Sequence, residues 1–463
     1  MYRLLWILLS CLTLTTACQK KVLVSASLPQ DQFIQVYFNH RQQIEYTDPY
    51  RQFQRSGDNL ETIIIEEIES ATSSVDLAVQ ELNLPLVAQA LVKKQQSGVK
   101  VRLILDNQYS QILSSLKPQK IQNFKQRDRQ KYNQFFQFVD TNQDQQLSSS
   151  EIAQRDALFI LQQGRVKLID DAADGSKGSG LMHHKFMVID QEKVITGSTN
   201  FTLSGIHGDL DRPETLGNAN HLLVIANTKI AKIFTEEFNY LWGDHSIPQF
   251  GLDKPRRLPT SVTWQDTKVT VQFAPTSKTQ PWQVTTNGLI GETVEKARKS
   301  IDLALFVFSS QEVANILQRK QQQGIEVSGV FDSGFAFRYY SEVLDLLGVA
   351  LYANNIRRGD RCQEEVNNNP WQIPLDTVGI ANLNSGDKLH HKFALIDNQI
   401  VISGSHNWSA AANHQNDETL IVIDNSKVAQ HFAQEFNHLY QTSAIGLSTK
   451  VHKQLQKQKQ KCN

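Results

Sequence analysis

The sequence predicts an α/β protein of two pseudo-symmetric domains, each holding a parallel βαβ unit. Three observations lead there. Ser74-Val75-Asp76-Leu77-Ala78 returns as Ser300-Ile301-Asp302-Leu303-Ala304, and Gly98-Val99 and Asp106 return as Gly324-Ile325 and Asp332, all at an offset of 226. Phe234-Thr235-Glu236-Glu237-Phe238-Asn239 returns as Phe432-Ala433-Gln434-Glu435-Phe436-Asn437 at an offset of 198. The pattern H-x-K-x4-D-x6-G-S-x-N occurs twice with identical spacing, from His183 to Asn200 and from His390 to Asn407.

A chain of 463 residues is too long for one ordinary core and suits two domains. Hydrophobic residues at 40% and charged residues at 20% mark it as globular. The 47 basic and 47 acidic residues cancel, which excludes the footprint of a general nucleic-acid binder but leaves a local basic groove open.

In chain order, residues 1–18 come first. Arg3, the apolar run Leu4 to Leu9 and the small residues before Cys18 read as an export signal, too short to span a bilayer. The cysteine directly after Ala17 resembles a bacterial lipoprotein cleavage site, although Thr15 stands where leucine is usual; a plain secretory signal cleaved nearby is the alternative. Cys11 would leave with the signal and Cys18 would carry lipid. Cys362 and Cys462 remain, as one disulfide or as two free thiols. Residues 19–32 read as a tether.

The first domain is expected over 33–243. Ile34 to Phe38 alternates like a strand, and Leu60, Ile63, Ile64, Ile68 and Ala71 recur at helical spacing. Val75 to Leu82 reads as a strand, Leu86 to Gln96 as a helix stopped by Gly98, and Val99 to Asp106 as a buried strand. The proline-rich stretch 244–268 reads as a linker, and the second domain as 269–445 with Val269 to Phe273 as its first strand. Residues 446–463 form a basic tail with Lys450, Lys453, Lys457, Lys459 and Lys461, read as a solvated end or as a contact for phosphates.

The first half is longer than the second by 19 residues (183 − 106 against 390 − 332), within a hydrophilic region. There, at about 125–160, Asp140 to Glu151 resembles an EF-hand calcium loop. Asp140, Asn142, Asp144, Ser148 and Glu151 put oxygen side chains at positions 1, 3, 5, 9 and 12; Gln146 fills position 7 and Leu147 the apolar position 8. Position 6, glycine in such loops, is Gln145. The other reading is a polar turn that ends in the capping signal Ser148-x-x-Glu151.

The duplicated pattern carries the chemistry. Histidine can act as nucleophile or general acid near neutral pH. Lysine offers a fixed charge to an anion, aspartate can orient an imidazole, and Gly-Ser with asparagine supplies small hydrogen-bonding groups. Together they suit a phosphate held between two imidazoles. His183 and Lys185 share a strand face, as do His390 and Lys392. Four imidazoles on one metal would need His184 and His391 as well, but adjacent strand residues face opposite ways and a nearby lysine repels a cation.

These two stretches resemble the HKD motifs of the phospholipase D superfamily. The resemblance implies two α/β domains with the active site at their interface and a mechanism without catalytic metal. It also implies His183 as nucleophile through a phosphohistidine, and His390 as general acid. Lys185, Lys392, Asn200 and Asn407 become phosphate ligands, supported by Ser198 and Ser405, while Asp190 and Asp397 are orienting residues or strand-end caps. Glu418 fits the acid that such proteins place beside a catalytic histidine; Asn220 stands at the aligned position in the first half. The expected substrate is a phospholipid or another phosphodiester, met at a membrane surface through the lipid anchor by a monomer, with nucleic acid as the alternative.

Overall fold

The computed structural model describes residues 28–42, 44–353, 362 and 365–462. The export signal, Cys18 and most of the tether lie outside these residues. No helix among the described residues is long and apolar enough to cross a membrane.

Two mixed sheets form the frame. The first orders its strands Ile34–Phe38, His221–Ala226, Lys193–Gly197, Lys185–Ile189, Ser74–Val79, Lys100–Leu105 and Lys167–Asp170. The second repeats this arrangement from Thr267–Ala274 through Glu418–Asp424, Ile400–Gly404, Lys392–Ile396, Ser300–Leu305 and Glu326–Phe331 to Val378–Ile380. In each, the βαβ unit pairs in parallel, Ser74 opposite Lys100 and Ser300 opposite Glu326. The motif hairpin then runs antiparallel beside it, Val79 opposite Lys185 and Leu305 opposite Lys392.

Both faces of each sheet are covered, which explains why the strands read as apolar runs. Phe186 and Val188 point into one core shared by both sheets and by helices Thr228–Trp242 and Ser426–Thr442. Met187 and Ile189 point into an outer core under helices Leu60–Ser70 and Pro85–Gln96. The second domain has its own outer core around Trp408, Phe331 and Leu317. Each fully buried phenylalanine or leucine contributes about 1.5–3 kcal/mol, so the shared core ties the halves into one unit.

Two boundaries differ from the sequence reading. Strand Thr260–Trp264 lies within the stretch read as linker; it pairs with Thr267–Ala274 and caps the second sheet. Proline spacing hid it, because an edge strand tolerates flanking prolines. The basic tail is a helix, Thr449–Cys462, seated by Val451 on Leu344 and Leu351 and tied by Gln458 to both backbone groups of Tyr352 at 3.0 and 3.1 Å. Lys450, Lys453 and Lys457 are on its exposed side. Cys362 is disulfide-bonded.

The inserted segment folds as helix Gln126–Val139, the loop, and helix Ser149–Arg155. Gln145 adopts φ +64°, the left-handed conformation for which such loops use glycine, so the departure at position 6 leaves the turn intact. Asp140 accepts from the backbone of Asp144 and Gln145, Asn142 from Asp144, and Asp144 from Gln146. Glu151, however, is held in a capping box with Ser148 and also accepts from Thr141 and Asn142. These bonds push its carboxyl down to about 2. Among the described residues no group of three or more His, Cys, Asp or Glu is placed to hold a metal ion.

Candidate active site

Each motif histidine enters the site across the domain boundary. His183 N–H donates to Asp417 O at 2.9 Å, and Asp417 N–H to Leu181 O at 2.9 Å; in mirror fashion His390 N–H donates to Ala219 O at 3.0 Å and Ala219 N–H to Lys388 O at 2.8 Å. Asp106 and Asp332, already paired by the repeat, fix the approach by accepting from Met182 N–H and Leu389 N–H, both at 3.0 Å. The strand period then puts His183 with Lys185 and His390 with Lys392 on the site face. His184 and His391 turn to the opposite face: His184 Nδ1 meets Thr419 Oγ1 at 2.8 Å, and His391 lies between His221 and Glu435, both at 3.0 Å.

The two histidines have different partners. His183 Nδ1 meets Glu418 Oε2 at 2.8 Å, whereas His390 Nδ1 meets Asn220 Oδ1 at 2.9 Å. The acid aligned by sequence with the second motif thus serves the first histidine, and each half orients the other's imidazole. Ser405 donates to Glu418 at 2.6 Å and Ser198 to Asn220 at 2.8 Å.

Ser198 and Ser405, expected to support the phosphate ligands, are fully buried and donate instead to Asn220 and Glu418; the fully buried Glu418 stands beside a histidine as expected, but beside that of the first motif. The motif glycines, Gly197 and Gly404, are required by close approach of the neighbouring strand, where a Cβ would collide with the carbonyl oxygens of His221 and Thr419. Of the two readings of Asp190 and Asp397, the structure shows the strand-end cap. They sit at the far ends of their strands, about 16 Å from the lysines at roughly 3.3 Å per residue. Asp190 accepts from the backbone of Thr72, Ser73 and Ser74, and Asp397 from that of Arg298, Lys299 and Ser300.

Burial raises the Asp190 carboxyl, but these donors together outweigh it and hold the group well below the usual range, so its contribution to stability is present above the unfolded carboxylate pKa of about 4 and is lost as pH falls through the depressed folded value. Asp190→Ala is expected to cost about 1–3 kcal/mol while turnover per folded molecule stays unchanged. Denaturant unfolding alongside active-site titration checks this; a turnover loss at full folding would return Asp190 to the catalytic group.

Charge is concentrated in the site. Burial, then Lys185 and Lys392, holds His183 well below its ordinary value, and burial with both lysines does the same to His390. Burial pushes Lys185 down to about 7, against the pull of Glu418, Asp106 and Glu81; Lys392 is pushed well down by burial and by Lys185. Burial raises Glu418 against His406 and Lys185. Burial and the lysine charges both favour the neutral imidazole at His183, whose Nδ1 faces Glu418. Two desolvated lysines and two histidines acting on one another make a site that gains by taking up an anion. Asn200 donates to Gln80 Oε1 at 3.3 Å, and Asn200 Oδ1 and Asn407 Oδ1 have no hydrogen-bond partner among the described residues.

The walls of the site were not legible beforehand. Gln80 and Phe306 occupy equivalent strand ends at the offset of 226, and Phe306 lies 4.8 Å from the His390 ring, 4.7 Å from Phe335 and 5.0 Å from Lys392 Nζ. The repeat offset alone could have singled out this pair.

The family described as "Cardiolipin synthase, PLD-like domain" matches residues 64–242 and 290–440. The mitochondrial cardiolipin hydrolase of Homo sapiens is 27% identical over 147 residues, 31% of this chain and 47% of that protein. A phospholipase D of Rickettsia prowazekii (strain Madrid E) is 27% identical over 175 residues, 38% of this chain and 58% of that protein. The chain spans about half the length of the curated relatives it matches. The phosphatidylserine synthase of Haemophilus influenzae Rd KW20 has a similar fold, with a TM-score of 0.50 at 12% identity over 83% of this chain and 85% of that one.

Proposed function

The chain belongs to the phospholipase D superfamily, and from that premise we propose that it hydrolyses phospholipid head groups to phosphatidic acid through a phosphohistidine. The observation that carries the division of labour is the unequal pairing of the two histidines, Glu418 on His183 and Asn220 on His390.

In the first step His183 Nε2 attacks phosphorus, and the P–N bond forms as the P–O bond to the head group breaks. The leaving oxygen takes the proton from His390 Nε2. The phosphorylated imidazole is cationic, and the Glu418 carboxylate lies against its Nδ1–H. In the second step water attacks phosphorus, its proton passes to His390, and the P–N bond breaks to restore His183. Splitting one displacement into two lowers each barrier. Lys185, Lys392, Asn200 and Asn407 would stabilise the phosphoryl oxygens. Burial and the two lysines keep His390 a weak base in the empty site; the bound phosphodiester anion would raise its pKa and supply the acid only when there is something to protonate.

The test is incubation of the protein with vesicles of phosphatidylcholine or cardiolipin and with plasmid DNA, following free alcohol, phosphatidic acid and strand breaks. Arg127 and Lys131, which act on Glu81 beside Lys185 and form no ion pair among the described residues, would also suit a nucleic-acid backbone. Cleavage of DNA alone would replace the lipid reading with an exported endonuclease. An export signal over residues 1–18 and lipid on Cys18, as read from the sequence, would bring the protein to substrate at a membrane surface.

Calcium at Asp140–Glu151 belongs to the same proposal. Binding would draw Glu151 out of its capping box and use Asp140, Asn142 and Asp144. Calcium is expected to raise the melting temperature in buffer freed of metal by chelator, and Glu151→Gln is expected to remove the rise. Identical melting with and without calcium would sink it.

A further inference from the structure

The inserted region of the first half carries a concentrated positive charge. From Lys117 to Lys131, six of fifteen residues are basic (Lys117, Lys120, Lys125, Arg127, Arg129 and Lys131) and Asp128 alone is acidic, in a chain whose basic and acidic residues are equal in number. All six but Lys131 are exposed. None of them forms an ion pair among the described residues. Lys120 donates to Gln111 Oε1 at 2.7 Å and Arg129 to Gln122 O at 2.7 Å, bonds that orient the cations without neutralising them. Leu113, Leu116, Ile121 and Phe124 lie half-buried among the charges.

This segment stands at the rim of the active site. Lys131 Nζ is 4.1 Å from the centre of the Tyr109 ring, and Tyr109 N–H donates to Asp106 O at 2.9 Å. Tyr109 is the counterpart of Phe335 at the offset of 226, and Phe335 packs on the Phe306 wall beside His390. Arg127 and Lys131 also act on Glu81, which follows the wall residue Gln80 and feels Lys185. The cations therefore gather beside the entrance on the His183 side.

We propose that residues 113–131 are a docking surface for an anionic bilayer. The basic side chains would meet lipid phosphates, and the apolar side chains between them would enter the interfacial layer. Three of those four are aliphatic. They gain from acyl chains, whereas nucleic acid rewards aromatic platforms on which bases stack, so the composition favours lipid. The docking needs neither turnover nor lipid on Cys18, and its failure leaves the phospholipid reading standing.

The test uses the full chain with Cys18→Ser, which carries no lipid of its own. It is sedimented with vesicles of phosphatidylcholine and with vesicles of equimolar phosphatidylcholine and phosphatidylglycerol. Affinity for the anionic vesicles is expected to exceed that for the neutral ones by about tenfold or more, and to fall as salt is raised. Lys117→Gln, Lys120→Gln and Lys125→Gln combined, all at exposed positions outside the catalytic machinery, should lower the anionic-vesicle affinity by about tenfold with an unchanged melting temperature. Should that triple variant unfold, Lys125→Gln alone carries the comparison, with a smaller loss expected. Lys450→Gln, Lys453→Gln and Lys457→Gln combined remove the same charge from the C-terminal helix and should leave the affinity close to that of wild type. Equal wild-type affinity for the two vesicles, or equal losses in the two triple variants, overturns the docking surface. So does a first triple variant that loses binding to plasmid DNA while keeping its vesicle affinity, which would assign the surface to nucleic acid.

Discussion

Replacing His183 by alanine is expected to lower kcat by about 10⁵-fold or more, because the variant loses the atom that bonds to phosphorus. His390→Ala should behave differently. With an alkyl alcohol as leaving group it should lose about 10²–10⁴-fold, but an activated ester such as a nitrophenyl phosphodiester needs no proton on its leaving oxygen. On that substrate the first step should largely recover while the second, which needs His390 to deprotonate water, should stay slow. The phosphorylated His183 should then accumulate and be visible by intact-protein mass spectrometry after a rapid quench. Label on the protein in His183→Ala but not in His390→Ala would reverse the two roles.

The second large effect concerns the partners of the imidazoles. Glu418→Gln should reduce kcat by about 10²–10⁴-fold, since a neutral amide neither fixes the Nδ1–H tautomer nor offsets the charge of the phosphorylated ring. The reciprocal change, Asn220→Asp, puts a carboxylate on His390 Nδ1. A negative neighbour favours the protonated imidazole and raises its pKa. The acid then stays protonated to higher pH, so the alkaline limb of the kcat profile should move upward by about one unit or more. Profiles with superimposable alkaline limbs would show that His390 is not the group titrating there.

Much of this arrangement could be read from the residues. The offset repeat gave the two sheets and their βαβ units because buried strands must be apolar on both faces, and that constraint leaves the same trace twice. His183, Lys185, His390 and Lys392 followed from strand alternation. What stayed hidden was the crossing. Glu418 lies 13 residues beyond Ser405 in its own half, and nothing in its local sequence says that its carboxylate reaches a histidine 235 positions away. Asp190 and Asp397 were left between two roles for the opposite reason: they share a regular spacing with the motif histidines and lysines, but spacing along a strand separates residues in space, and the structure shows the strand-end cap. The edge strand Thr260–Trp264 and the terminal helix were hidden by composition, since prolines and lysines around a short apolar stripe look like connection or solvent-facing tail.

The reciprocal bridges that carry His183 to Asp417 and His390 to Ala219 also bear on what duplication makes available. Two identical halves related by a twofold axis would have to present the same residue to both imidazoles, so any gain for a nucleophile would be a loss for an acid. Joining the halves in one polypeptide breaks that equivalence. One position can keep glutamate while its counterpart becomes asparagine, and one strand end can keep glutamine while the other becomes phenylalanine. The covalent link thus does more than hold the halves together: it lets selection act separately on two positions that a self-pairing subunit would be forced to share.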